Sequence, residues 1–142
     1  FNSSFTRTNK KLYTDSNPVN SETFQNKIKT LQKIDEYTRA KNPLVKQVSA
    51  SLSGEWQVVR IYRSDGIFIE DIRPLVRLGI SVVLEKNGRL ESGSRGVGGR
   101  VDYQKFLEDD YWQQQVDGAL SQAEVNLQSV DSPVGEMDVV LG

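Results

Sequence analysis

The sequence predicts an α+β domain. An antiparallel sheet over about residues 45–101, joined by a last strand at 137–141, packs against two helices, near 21–41 and 103–130. Three observations predict it. Apolar residues recur at three- and four-residue spacing in the two flanking segments, and period-two alternation fills the segment between them. The dipeptides Asp65-Gly66 and Asn87-Gly88 punctuate that middle segment as hairpin tips. With 142 residues, 37% hydrophobic and 26% charged, the chain has the size and apolar content of one globular domain.

The elements follow in order. Residues 1–19, FNSSFTRTNKKLYTDSNPV, are polar and aperiodic and read as an extended arm or linker; residues 20–142 read as a single domain. Asn20 or Ser21 can cap the first helix, whose inner stripe is Phe24, Ile28, Leu31, Ile34 and Tyr37. Asn42-Pro43 ends it, because the residue before a proline disfavours the helical basin. Ser53-Gly54 is a further interruption in the sheet block. With Asp65-Gly66 as a two-residue tip, Arg60 faces Asp71, Tyr62 faces Ile69 and Val59 faces Ile72. Pro74 then marks a bulge or a sheet corner. With Asn87-Gly88 as the second tip, Val76, Leu78, Ile80, Val82 and Leu84 stand opposite Gly99, Val97, Arg95, Gly93 and Glu91. Two large aliphatics therefore face glycines, leaving hollows for close packing. The second helix buries Phe106, Trp112, Val116, Ala119, Leu120, Ala123 and Leu127, and Gly118 weakens its middle by about 1 kcal/mol relative to alanine. SPVG, residues 132–135, is a turn before the strand Met137–Leu141.

Composition excludes much chemistry. Lys and Arg number 18 against 19 Asp and Glu, a net charge of −1 that gives no bulk attraction to nucleic acid or an acidic membrane. No apolar run approaches the roughly 18 residues of a membrane span. The chain has no His and no Cys, so imidazole chemistry, thiolate nucleophiles and the usual zinc ligands are missing, and no disulfide framework exists. The absence of cysteine is compatible with a cytoplasmic protein. A start at Phe1 and an end on an apolar strand lead us to expect a piece of a longer protein.

The stretch GSRGVGGR, residues 93–100, is the sharpest local signal. A Walker loop needs Lys and Ser or Thr after its last glycine, but Arg100 and Val101 stand there. A dinucleotide fingerprint begun at Gly96 fails at its sixth position, Val101. Arginines near Tyr103 resemble a single-strand nucleic-acid surface, which the balanced charge disfavours. Close packing on a strand is the simplest reading. Glu108, Asp109 and Asp110 form an acidic run, but adjacent helical residues point in different directions, so a solvated face is expected rather than a hard-metal site. Asp71 with Arg73 has the composition of an acid–base couple, and pairing of Asp71 with Arg60 explains it without catalysis. Lys41 and Lys46 read as surface charge.

DIRPLVRLGISVVLEKNGRLESGSRGVGGR, residues 71–100, and GEMDVVLG, residues 135–142, resemble the TldD branch of the TldD/PmbA metallopeptidases, also known as modulators of DNA gyrase. The resemblance runs from LYTDSNP at Leu12 to the last residue. It departs from the family's purer glycine run where this chain has GSRGVGG. The resemblance implies the amino-terminal-side region of a cytoplasmic zinc metallopeptidase that cuts unfolded peptides and pairs with a TldE/PmbA-like subunit or with itself. The family's His-Glu-x-x-x-His helix follows its Val-Val-Leu-Gly strand and lies outside this chain. Zinc is thus expected in the parent, and no cofactor, catalytic residue or metal ligand in this chain. The chain alone is expected to be inactive. It is read as a non-catalytic contributor to the substrate cleft or subunit interface, with a stand-alone interaction domain as the alternative. Arg95, Gly96, Gly98, Gly99 and Arg100 are the candidate contacts for peptide or partner; nucleic acid and membrane are not expected partners.

Overall fold

A computed structural model describes residues 6–7, 12–132 and 134–140. In chain order the elements are strand β1 (Thr6–Arg7), a 3-10 turn (Pro18–Asn20), helix α1 (Phe24–Lys41), strands β2 (Val45–Tyr62), β3 (Phe68–Lys86) and β4 (Arg89–Gly99), and helices α2 (Gln104–Leu107) and α3 (Asp109–Leu127). β3 is the central strand. β2 pairs antiparallel along one side of it; β4, antiparallel, and the short parallel β1 share the other. The α+β architecture is therefore as the sequence predicts.

α1 is capped by Thr23, whose hydroxyl accepts from the Asn26 amide, three residues after Asn20 and two after Ser21, the caps expected from the sequence. Its buried stripe is Thr30, Ile34 and Thr38, while Phe24 is exposed. The two threonines are tolerated inside because each hydroxyl donates back to the carbonyl four residues earlier, Thr38 to Ile34 at 2.6 Å and Thr30 to Asn26 at 3.1 Å. The expected second helix is two. Glu108 adopts an extended backbone, φ −68 and ψ 129, and becomes the first-turn boundary of α3. Asp109 and Asp110 then sit in that first turn, where the helix dipole favours them.

The second hairpin has the predicted register, with Val76 opposite Gly99, Ile80 opposite Arg95 and Val82 opposite Gly93. Its tip uses left-handed Asn87 and Gly88, φ 53 and 82, the mirror-image turn that matches strand twist. The first hairpin departs by one residue. Arg60 pairs with Glu70, Tyr62 with Phe68 and Val59 with Asp71. Only Gly66 is left-handed there, φ 84, so the mirror-image turn that needs two such residues cannot form at Asp65-Gly66. A three-residue loop, Ser64 to Gly66, closes instead, with Arg63 N–H donating to the Ile67 carbonyl at 2.9 Å.

Two further expectations are corrected. Neither Ser53-Gly54 nor Pro74 interrupts its strand; Pro74 pairs with Trp56 inside a continuous ladder. Residues 137–140 form no strand and are exposed, since a strand needs a neighbouring ladder and none meets them among the described residues; Leu141 lies outside those residues. Of the expected arm, residues 12–19 rest against the sheet: the Tyr13 hydroxyl donates to both Asp71 carboxylate oxygens at 3.0 Å, and Trp56 Nε1 donates to the Asp15 carbonyl at 3.3 Å.

The core lies between one face of the sheet and the helices. Val76, Leu78, Ile80, Val82 and Leu84 bury against Ile34, Trp112, Val116, Ala119, Leu120 and Ala123. Tyr37 meets Trp112 edge-to-face at 5.5 Å, tying α1 to α3. No helix among the described residues is long and apolar enough to cross a membrane. Strands of this length span about 60 Å, whereas 18 helical residues span about 27 Å. The hairpin of β2 and β3 therefore projects past the helix layer, where Ile61, Tyr62 and Ile67 are exposed.

Candidate functional site

The glycine-rich segment is strand β4, and its neighbours divide its residues into two sets. The Ser94 amide donates to Gln122 Oε1 at 3.0 Å, and Asn126 Nδ2 donates to the Ser92 carbonyl at 2.9 Å, both on α3. These main-chain groups point away from β3. Because strand backbone groups alternate in direction, Gly96 and Gly98 also turn their N–H and C=O outward, and the odd-numbered residues of β4 turn theirs toward β3. Two amide side chains of α3 thus cap the first half of the edge. Among the described residues, no partner meets the outward groups of Gly96 and Gly98.

The same alternation explains Pro74. Even-numbered residues of β3 direct their amides away from β2, so the missing N–H of Pro74 falls between the β1 and β4 ladders, where β3 has no paired strand.

The five candidate contacts do not gather in one place. Gly96 and Gly98 lie on the outward edge. Gly99 turns its backbone to β3, opposite Val76. Arg95 is exposed, and its guanidinium lies across Gly118 of α3, where a Cβ would collide with it. Gly118 is therefore a seat for Arg95, which reading it only as a helix-weakening residue missed. Arg100 lies just past the strand and stacks over the Tyr13 ring at 4.8 Å. Arg77 extends over Gly96 from the neighbouring strand: a Cβ on that glycine would meet Arg77 Nη2 at 3.2 Å. The sheet face away from the helices is here small and polar, with Ser49, Ser51, Ser81, Ser94, Gly79 and Gly96 around Arg77.

Near this end Asp71 is buried. Its carboxylate accepts from Arg73 Nε at 2.7 Å as well as from Tyr13, and the neighbouring guanidinium holds the carboxyl below the usual carboxylate range against the opposing effect of burial. Asp71 is thus occupied as an anchor for residues 12–20, with Arg73 and Tyr13 replacing the Arg60 partner predicted from the sequence. Tyr103 packs its ring against Gly54 and under Lys27 Nζ, and burial pushes its phenol up.

The residues do not fit a zinc centre. Among the described residues no three carboxylates, histidines or cysteines come together. Asp109 of the acidic run is committed to Lys33 at 3.0 Å and to Trp112 Nε1 at 3.2 Å. Lys41 and Lys46 pair with Asp117 and Glu85. The capping residues Gln122 and Asn126 were legible as an i, i+4 pair of amides beside the Ala119–Ala123 stripe, a spacing that places them on one helix face.

Fold and site define an α+β domain that turns the main chain of Gly96 and Gly98 outward along one strand edge. Residues 17–127 match the PmbA/TldA metallopeptidase central domain. A metalloprotease TldD homolog of Haemophilus influenzae is 44% identical over 140 residues, covering 92% of this chain and 28% of the relative. Metalloprotease TldD homologs of Buchnera aphidicola subsp. Schizaphis graminum and subsp. Acyrthosiphon pisum are 35% and 31% identical over the same 92% and 28%. The chain belongs to the PmbA/TldD family, and it spans about 28% of the length of these relatives.

Proposed function

We propose that this chain is the non-catalytic scaffold of a TldD-like, metal-dependent peptidase that cleaves unfolded peptides in the cytoplasm. It contributes to the substrate cleft or the subunit interface, and the parent's metal is zinc. The observation that carries the reading is the outward main chain of Gly96 and Gly98. An extended peptide, or a strand of a TldE/PmbA-like subunit, adds to such an edge through backbone hydrogen bonds that need no particular side-chain sequence. That suits a protein whose substrates are defined by being unfolded. The metalloprotease name of the relatives supports a metal in the parent.

The test is binding of a fluorescent unstructured peptide, read by anisotropy. Gly96→Pro removes one outward N–H without touching the ladder to β3, and is expected to weaken binding on the order of tenfold. An unchanged affinity in that variant, or no binding by the unaltered chain, overturns the assignment of this edge.

A further inference from the structure

We infer that Arg77 is a specificity-determining residue, which selects extended peptides carrying a carboxylate side chain opposite Gly96. The inference rests on the strand addition proposed above for the β4 edge and goes beyond it by naming what the added strand carries. Three observations bear it.

First, Arg77 supplies the side chain that Gly96 lacks. Residues paired across a sheet share a face, so Gly98 lies beside Arg77, Gly96 beside Gly79 and Ser94 beside Ser81 on the face away from the helices. The Arg77 guanidinium leans diagonally from β3 onto β4: its Nη2, Nε and Cζ would stand 3.2, 3.7 and 3.9 Å from a Cβ on Gly96. Its stem passes Gly98, where a Cβ would stand 3.5 Å from Arg77 Cβ and 2.6 Å from the Val76 carbonyl oxygen. Glycine at both positions leaves the outer strand presenting a cation that belongs to the strand behind it.

Second, this cation is uncommitted. Arg39, Arg60, Arg63, Arg73 and Arg89 each hold a carboxylate. Arg95 lies against Gly118 of α3, and Arg100 over Tyr13. Among the described residues no carboxylate meets Arg77, which is exposed. It stands in a shallow cavity of about 260 Å³ that no carboxylate lines, with the hydroxyls of Ser49, Ser51, Ser81 and Ser94 around it. A guanidinium fork with hydroxyl donors beside it is the donor set that suits a carboxylate.

Third, strand addition delivers a side chain to this point. The residue of an added strand that lies opposite Gly96, bonded to its outward main chain, directs its side chain to the face that Arg77 occupies. Its Cβ stands roughly 5 Å from the place of the missing Gly96 Cβ. The guanidinium lies over that place, so an Asp or Glu spans the gap with its own length. A lysine there meets a like charge, which destabilises the pairing. The net charge of −1 gives anionic peptides no general attraction, so a preference for them has to be local.

Fluorescence anisotropy with two unstructured peptides, one alternating Thr-Glu and one alternating Thr-Gln, tests this. A slip of one residue lets either peptide choose which set faces Arg77. We expect the Thr-Glu peptide to bind about fivefold more tightly at low salt, with the advantage shrinking as salt rises. R77Q is expected to bind the two peptides alike, and R77E to prefer an alternating Thr-Lys peptide to Thr-Glu. If Gly96→Pro weakens both peptides, yet the unaltered chain binds them equally, strand addition stands and the role of Arg77 falls. A preference for Thr-Glu that survives R77Q, or that is not reversed in R77E, overturns the role of Arg77 as well. Affinities unchanged by Gly96→Pro, or no binding of either peptide, overturn strand addition and the role of Arg77 together.

Discussion

Gly93 and Gly99 occupy similar places in the sequence, each across a ladder from a buried valine, yet the structure separates them. A Cβ on Gly93 would overlap the Ala119 carbonyl oxygen and stand 2.6 Å from the Ala123 amide nitrogen, so the backbone of α3 rests directly on that glycine. Among the described residues, a Cβ on Gly99 would meet only Val101 Cγ2, at an ordinary 3.7 Å. The hollow inferred from residue pairing is real at Gly93 and is not there at Gly99, where no helix descends. We therefore expect Gly93→Val to cost about 1–3 kcal/mol by forcing α3 away from the sheet. Gly99→Val should stay within about 0.5 kcal/mol of the starting protein. Urea midpoints measure both; equal losses would show that the sheet, rather than the helix contact, sets the demand for glycine. Pairing across β3 was readable from Asn87-Gly88, because a mirror-image turn fixes register without further information. Which glycine a helix crosses was not readable, since that depends on the angle of α3.

At the scale of elements, legibility followed the local determinants. α3 displayed its buried stripe in the sequence because Trp112, Val116, Ala119, Leu120 and Ala123 are apolar at helical spacing. α1 hid part of its stripe, because Thr30 and Thr38 satisfy their hydroxyls on the helix itself and so pass as polar positions. The first hairpin misled by one residue because Asp-Gly serves both two- and three-residue loops, and φ at Asp65 is invisible in the sequence. That shift has a consequence for residues 12–20. It separates Asp71 from Arg60, and Asp71 then fastens this strap through Tyr13 and Arg73. Because Arg73 and Tyr13 favour the ionised carboxylate, the folded state holds Asp71 below its unfolded value of roughly 3.9. Its contribution is fully present above that pH and is lost as pH falls through the folded value. We expect Asp71→Asn to be less stable than the unaltered chain at pH 7, with the difference narrowing below about pH 4. Residues 12–20 should also become more susceptible to proteolysis at neutral pH. A stability gap that persists unchanged at pH 2 would show that Asp71 acts through shape rather than charge.

For the whole molecule, the outer edge of β4 is treated unevenly along its length, and that asymmetry frames what the chain can do unaided. Among the described residues, α3 caps the first half of this edge and no partner meets the outward groups of Gly96 and Gly98. The described residues bring together no groups that polarise a peptide carbonyl or activate water. Zinc hydrolysis needs about three protein ligands with one position left open. With no His and no Cys in the sequence, only carboxylates remain, and the structure spends Asp71, Asp109, Asp117 and Glu85 on arginine and lysine partners. Recruiting any of them to a metal would break an anchor. Asp71 would release the strap, and Asp109 would release Lys33 and Trp112 together. We therefore expect the purified chain to leave unstructured peptides intact with or without added zinc, as read by mass spectrometry after prolonged incubation. Cleavage abolished by a chelator would place a reaction centre within these 142 residues and remove the division between scaffold and catalysis. Intact peptide that nonetheless shifts in anisotropy, and ceases to do so in Gly96→Pro, would locate recognition on β4 and leave hydrolysis to residues beyond this chain.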